Sequence, residues 1–282
     1  MKFRDKFKCL IYTVCVLYIL SPIQVLAEDA QEWTGKWFPK RPDNTLSILD
    51  PNMVGDDITS SNMIRTNRIK TMGISDPDCD DAETNLAIDY DPKNISHHIR
   101  YICLENRSNF NPNASNEPYL REYDIPSEYS ALHRCMNESI EYDYNIPTFG
   151  SHRPLWLKYG EYDYAPPQRW VHNLEHGAIV AIYHPCVNKR QLDNFRKLIK
   201  QCLYRHVITP YEKLTPDRPF ALVAWGKSLE MSYVDVEIVV AFIRMAALKA
   251  PERISKNGQY SAGIIDSAKI ASTDDQNLCP FM

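Results

Sequence analysis

The sequence predicts an α+β fold, a two-layer α/β sandwich with a strand–helix–strand–strand–helix core and a disulfide-bonded, loop-rich N-terminal portion. Two observations lead to this prediction. Between residues 147 and 251, short apolar runs alternate with helical periodicity, as expected for helices packed on a sheet. The preceding region carries three cysteines and four N-glycosylation triplets but only weak periodicity.

The first core strand and helix have clear signals. Residues 178–183 form a continuous apolar run between Gly177 and Pro185, which is typical of a buried strand. Asn188 is a good N-cap, and apolar residues recur at spacings of three and four across residues 189–203. An amphipathic helix is therefore expected to follow the strand.

The remaining core elements follow in order. Residues 206–209 and 220–225 read as two strands separated by a proline-containing loop. Ser232 is the predicted N-cap of a second helix over residues 233–249, which is mostly apolar and ends before Pro251.

The chain divides into four predicted segments. Residues 1–27 have the basic start, apolar centre and small-residue cleavage signal of a secretory signal peptide, and their apolar run is shorter than the ~20 residues of a membrane span. Residues 28–75 are expected to form a poorly ordered arm, 76–255 a single globular domain, and 256–282 a polar C-terminal tail. No transmembrane span is predicted in the mature chain, because the apolar run at 238–250 is short and interrupted by charge.

Cysteine usage and glycosylation triplets predict a secreted or secretory-pathway lumenal location. Three disulfides are expected, with Cys186–Cys202 the favoured pair, while a zinc cluster is disfavoured because no C-x-x-C spacing occurs. The cysteines outside the leader are Cys79, Cys103, Cys135, Cys186, Cys202 and Cys279. The candidate glycosylated residues are Asn94, Asn106, Asn113 and Asn137. Without the leader, 28 basic and 35 acidic residues give a formal charge of −7, which disfavours a nucleic-acid partner.

The segment from His172 to His176 carries the strongest chemical signal. Together with His152 it supplies three imidazoles, and Glu175 adds a carboxylate, so the candidate ligands of a zinc or copper ion are His152, His172, His176 and Glu175. The alternative is a turn that these side chains stabilise by hydrogen bonds.

The same segment also fits H-x-x-E-H, the inverted zincin pattern, in which Glu175 would be the general base of a peptidase. We disfavour that activity, because Gly177 and the following strand are expected to leave at most a single helical turn.

Aromatic residues surround this segment. They predict a candidate ligand pocket, with a small core cover as the alternative. The pocket residues would be Trp156, Tyr159, Tyr164, Trp170 and Arg153.

Three motifs resemble the domain-of-unknown-function family 3105: residues 147–152, 166–177 and 183–186. Further segments at 205–211, 224–226 and 229–235 resemble its animal branch, the p53-inducible protein 13 group. The resemblance covers about residues 140–262. It implies an association with growth control or tumour suppression but no established reaction.

Two functions are therefore expected. The first is a secreted glycoprotein that acts as an extracellular or secretory-pathway interaction protein, with an unidentified protein or small-molecule partner. The alternative is a metal-binding protein or metal-dependent enzyme using the histidine and glutamate cluster. A non-enzymatic role is favoured because no nucleophile motif or phosphate-binding loop occurs.

Overall fold

The computed structural model describes residues 72–252, 254–272 and 275–282. The predicted signal peptide and nearly all of the predicted arm lie outside the described residues. The described strands are β1 Tyr119–Glu122, β2 Gly160–Tyr162, β3 Ile179–Tyr183, β4 His206–Pro210, β5 Phe220–Ala224, β6 Lys227–Met231 and β7 Ile264–Ser267. The α-helices are α1 Pro167–Glu175, α2 Lys189–Cys202 and α3 Val236–Ala246, and short 3-10 helices lie at Leu86–Ile88, Ile95–Arg100 and Arg107–Phe110. The α+β class is confirmed.

A mixed seven-stranded sheet forms the centre of the described part of the chain. Its order is β1-β6-β5-β3-β4-β2-β7. Strands β3 and β2 both run parallel to β4, whereas the other neighbouring pairs are antiparallel. The parallel centre requires helical crossovers, which α1 and α2 supply.

The sheet is covered on both faces, so the arrangement differs from the predicted two layers. The crossover through α1 moves from β2 to β3, and the crossover through α2 moves back from β3 to β4. Because such crossovers are right-handed, the two helices must lie on opposite faces. Accordingly, Ile179 and Ala181 pack with α2 and α3, while Val180 and Ile182 pack with α1 and the irregular segment before it.

The predicted N-cap of α2 is confirmed, and the predicted N-cap of α3 is wrong. The Asn188 side chain accepts a hydrogen bond from the Gln191 N–H and caps α2. The predicted cap Ser232 instead accepts from the Asn113 N–H, and Asp235 caps α3 by accepting from two N–H groups of its first turn. The helix therefore begins later than its apolar composition indicated.

Three disulfides join distant parts of the described chain: Cys79–Cys135, Cys103–Cys186 and Cys202–Cys279. The predicted pair Cys186–Cys202 is wrong. The two cysteines lie at opposite ends of α2, whose 14 residues span about 21 Å, far more than a disulfide bridges.

The predicted C-terminal tail contributes to the sheet. Within it, β7 pairs with β2, and Cys279 fastens the chain to the end of α2. None of the helices in the described ranges is long and apolar enough to cross a membrane.

Candidate metal centre

His133 and His152 come from two irregular segments that lie side by side. The His152 N–H donates to the Leu132 carbonyl, and the Arg134 N–H donates to the His152 carbonyl. The resulting isolated parallel bridge sets the two imidazole rings 4.8 Å apart, centroid to centroid. Two histidines 19 positions apart in sequence thus become neighbours.

Helix α1 supplies the other two side chains, His172 and Glu175. They are three residues apart and therefore lie on one helix face. Pro167 at the first helical position fixes the start of α1, and Gly177, at φ +82°, follows its end. The nine-residue helix is longer than the single turn expected from the flanking prolines and glycine, so that expectation was wrong.

The four side chains converge on one point. One ligand atom each from His133, His152, His172 and Glu175 lies within 4.8 Å of the other three. His152 Nε2 and Glu175 Oε2 are 3.0 Å apart. A tetrahedral zinc ion holds its ligand atoms about 3.3 Å from one another, so closure around zinc would draw the more distant atoms together by up to about 1.5 Å.

Backbone carbonyls fix the tautomers of two histidines. Nδ1 of His152 lies 2.9 Å from the Gly150 carbonyl, and Nδ1 of His172 lies 2.6 Å from the Arg153 carbonyl. A carbonyl oxygen only accepts hydrogen bonds, so each ring carries its proton on Nδ1. The lone pair of each ring is then on Nε2. This is the arrangement that orients metal-ligating histidines in known sites.

Three of the four cluster residues are buried, His133 is partly exposed, and the buried polar atoms are poorly satisfied. His152 and His172 have no exposed surface, and Glu175 is 5% exposed. Among the described residues, Nε2 of His172 has no hydrogen-bond partner, and the contact between His152 and Glu175 lacks hydrogen-bond alignment. Each such buried group costs about 1–3 kcal/mol when left unsatisfied.

Burial also sets the protonation of His172. It holds the pKa of His172 well below the usual 6.5, and the neighbouring imidazoles of His152 and His176 lower it further. His172 is therefore neutral at physiological pH, which is the form that binds a metal.

Buried ion pairs hold the segments around the cluster in place. The Arg153 guanidinium donates to both carboxylate oxygens of Asp89 and to the Cys135 carbonyl, beside the segment that carries His133. Arg169 pairs in the same way with Asp80. Each arginine charge is compensated locally, so Glu175 supplies the net charge of the cluster.

His176, a predicted ligand, lies next to the cluster but outside the set of four. Its ring centroid is 4.7 Å from that of His172, and its Nε2 lies 3.0 Å from Glu252 Oε2. Burial lowers the pKa of His176 to about 4. The structure thus brings together His152, His172 and Glu175 as predicted, with His133 as the fourth member.

The five predicted pocket residues are all buried and do not line one cleft. Trp156 contacts the rings of His172 and His176. The Arg153 carbonyl accepts from His172, but the Arg153 guanidinium is bound to Asp89. The other three lie apart from the cluster: Trp170 is in the core beneath α1, Tyr159 packs on Tyr204, and Tyr164 meets Arg100.

Sequence reasoning missed His133 and Glu252. His133 lies on an irregular segment and has no helical or strand spacing to the other three cluster residues. Glu252 follows α3 and reaches the site because its N–H donates to the Glu175 carbonyl, a contact that depends on tertiary packing.

Residues 133–258 match the model of a family described as "Protein of unknown function (DUF3105)". The matched segment contains all four clustered residues as well as His176 and Glu252. Neither a curated protein nor a solved structure matches the chain.

Proposed function

We propose that this domain binds a zinc or copper ion through His133, His152, His172 and Glu175. The observation that carries the proposal is the convergence of the four ligand atoms at a buried point, with two imidazoles oriented by backbone carbonyls. A bound ion would satisfy the Nε2 lone pairs, which removes the cost of burying them.

The donor set favours zinc or copper, because imidazole suits both ions. Four protein ligands fill a tetrahedral shell, whereas a catalytic zinc site keeps one position for water. Glu175 would then be a ligand and not a general base. The geometry therefore supports metal binding over hydrolysis, and no reaction is proposed.

Metal analysis of protein purified from a eukaryotic secretory expression system tests this proposal. We expect about one equivalent of zinc or copper per chain, lost in a His152→Ala/His172→Ala double variant. The matched control is His97→Ala/His98→Ala, which removes two histidines outside the cluster and should keep the ion. Absence of metal from the wild type, with no rise in melting temperature on adding either ion, would refute the proposal.

We propose that the protein carrying this site is a glycoprotein of the secretory pathway. Its support is the set of three disulfides and the exposure of all four acceptor asparagines, Asn94, Asn106, Asn113 and Asn137. Endoglycosidase treatment of the same purified protein should lower its mass. An unchanged mass would count against glycosylation.

We also propose, from the motifs shared with the animal branch, a role in growth control. That role rests on the sequence resemblance alone, and a protein or small-molecule partner would follow from it.

A further inference from the structure

His176 and Glu252 form a pair between the buried cluster and the surface. The imidazole of His176 has no exposed surface, whereas the Glu252 side chain is 34% exposed. An ionised carboxylate only accepts hydrogen bonds, so the 3.0 Å contact places the ring proton of His176 on Nε2. The lone pair of His176 is then on Nδ1, which is buried and has no hydrogen-bond partner among the described residues.

We propose that His176, oriented by Glu252, is an exchange ligand that passes the metal ion between solvent and the inner cluster. This inference rests on the proposed metal-binding function and adds a second, weaker position through which the ion enters and leaves.

The placement of the side chains supports a stepwise path. Glu252 faces solvent, His176 lies behind it, and the ring of His172 follows 4.7 Å further in. The Glu252 N–H is bonded to the Glu175 carbonyl, which fixes the pair against the end of α1. The pair resembles the carboxylate–histidine unit that orients metal ligands in known sites. Because Glu252 is bonded to Nε2, the pair offers the ion a single ligand atom, Nδ1 of His176, and would bind it more weakly than the inner four ligands do.

The experiment follows uptake of Cu²⁺ by metal-free full-length protein in a stopped-flow instrument. Tryptophan fluorescence is the readout, because Trp156 touches the rings of both His172 and His176 and should be quenched on binding. A chelator chase measures release. His176→Gln removes the exchange ligand, Glu252→Gln removes only the charge, and Glu237→Gln is the control. Glu237 is an exposed carboxylate in the first turn of α3, a helix about 16 Å long, and Glu252 lies beyond the other end of that helix.

We expect His176→Gln to slow both uptake and release about tenfold or more while about one equivalent still binds at equilibrium. Glu252→Gln should slow both rates in the same direction, and Glu237→Gln should match the wild type. The wild type should also show a weak second equivalent that both site variants lose.

Three results would overturn the inference. If His176→Gln takes up Cu²⁺ at the wild-type rate, the exchange path is wrong although the inner site stands. If His176→Gln loses the ion entirely at equilibrium, His176 is an inner ligand. If the wild type binds no ion, the metal-binding function fails and this inference fails with it. Should circular dichroism show that His176→Gln is unfolded, Glu252→Gln decides: slowed exchange supports the path, and unchanged exchange refutes it.

Discussion

At the residue scale, His206 shows how burial sets a charge state away from the candidate metal centre. It lies on β4, is 1% exposed, and has its Nδ1 bonded to the Leu203 carbonyl. Burial lowers its pKa from 6.5 to about 4, and the nearby Lys200 adds to the shift. Glu161 and Asp266 act in the opposite direction but do not reverse it.

The lowered pKa predicts acid sensitivity with a defined sign. Between pH 6.5 and about 4, the unfolded chain takes up a proton at His206 and the native chain does not. The free energy of unfolding should therefore fall as the pH drops through this window, by up to about 3 kcal/mol from this residue. Urea unfolding at about pH 7 and about pH 4.5 measures the loss.

Comparison of His206→Gln with the wild type isolates the contribution of His206 to this loss of stability, because His172 and His176 are present in both proteins. The variant should lose less stability than the wild type on acidification. An equal loss in the two proteins would show that His206 does not contribute.

At the element scale, Gly177 determines how α1 ends and β3 begins. Its φ of +82° is in the left-handed region, and its N–H donates to the Leu174 carbonyl. A Cβ at this position would lie 2.8 Å from Cα of Leu248, and the Leu248 N–H bonds the Gly177 carbonyl. Only glycine at position 177 allows the segment after α3 to pass this close to the end of α1.

Gly177→Ala should therefore lower the free energy of unfolding by about 2 kcal/mol or more, through backbone strain and the contact with rigid backbone. Gly226→Ala is the matched control. Gly226 also has a positive φ, +69°, but its added Cβ would meet the end of the flexible Ile125 side chain. Urea denaturation of both variants compares them, and equal destabilisation would contradict the role given to Leu248.

The elements that the sequence predicts well are those with a long or uniform pattern. The amphipathic period of α2 and the apolar runs of β3, β4 and β5 appear at nearly their predicted bounds. Strand β6 was missed because Lys227 and Glu230 interrupt its apolar residues. Strands β1, β2 and β7 are only three or four residues long, too short to show a period.

The candidate site divides along the same line. His172 and Glu175 share one helix, so their spacing in the sequence places them together. His152 was predicted as a third member because it is a histidine close in sequence to this segment. His133 could not be found, because its position depends on a bridge between irregular segments. The local pattern also favoured His176 over His133, although α1 directs His176 towards Glu252.

At the scale of the whole molecule, disulfides and buried ion pairs fasten the irregular segments to the sheet. Asp80 and Asp89 bind Arg169 and Arg153 in the core, and Cys79–Cys135 closes the segment that carries His133. The segment has little regular structure of its own. Its order therefore depends on these links, and the candidate metal centre depends on the order of this segment.

The three disulfides differ in their access to solvent. Cys202 and Cys279 are at most 1% exposed, and the second disulfide joins the buried Cys186 to the partly exposed Cys103. In the third disulfide both cysteines, Cys79 and Cys135, are partly exposed. Thiol–disulfide exchange requires a thiolate to reach a sulfur atom, so accessible disulfides react first. A dithiol added to the native protein should therefore reduce Cys79–Cys135 before the other two.

Alkylation after short exposure to the dithiol, followed by peptide mass spectrometry, gives the order of reduction.

Because the Cys79–Cys135 link closes a loop with a sequence separation of 56, its loss should cost up to about 4 kcal/mol in chain entropy. Cys135 is two residues from His133, and its release from Cys79 loosens the segment that carries His133. The singly reduced protein should therefore also bind Zn²⁺ or Cu²⁺ less tightly than the oxidised protein. Simultaneous reduction of Cys202–Cys279 would show that local opening, and not static exposure, controls access. An unchanged metal affinity after selective reduction would show that the Arg153 hydrogen bonds and the backbone bridge to His152 hold His133 in position without the disulfide.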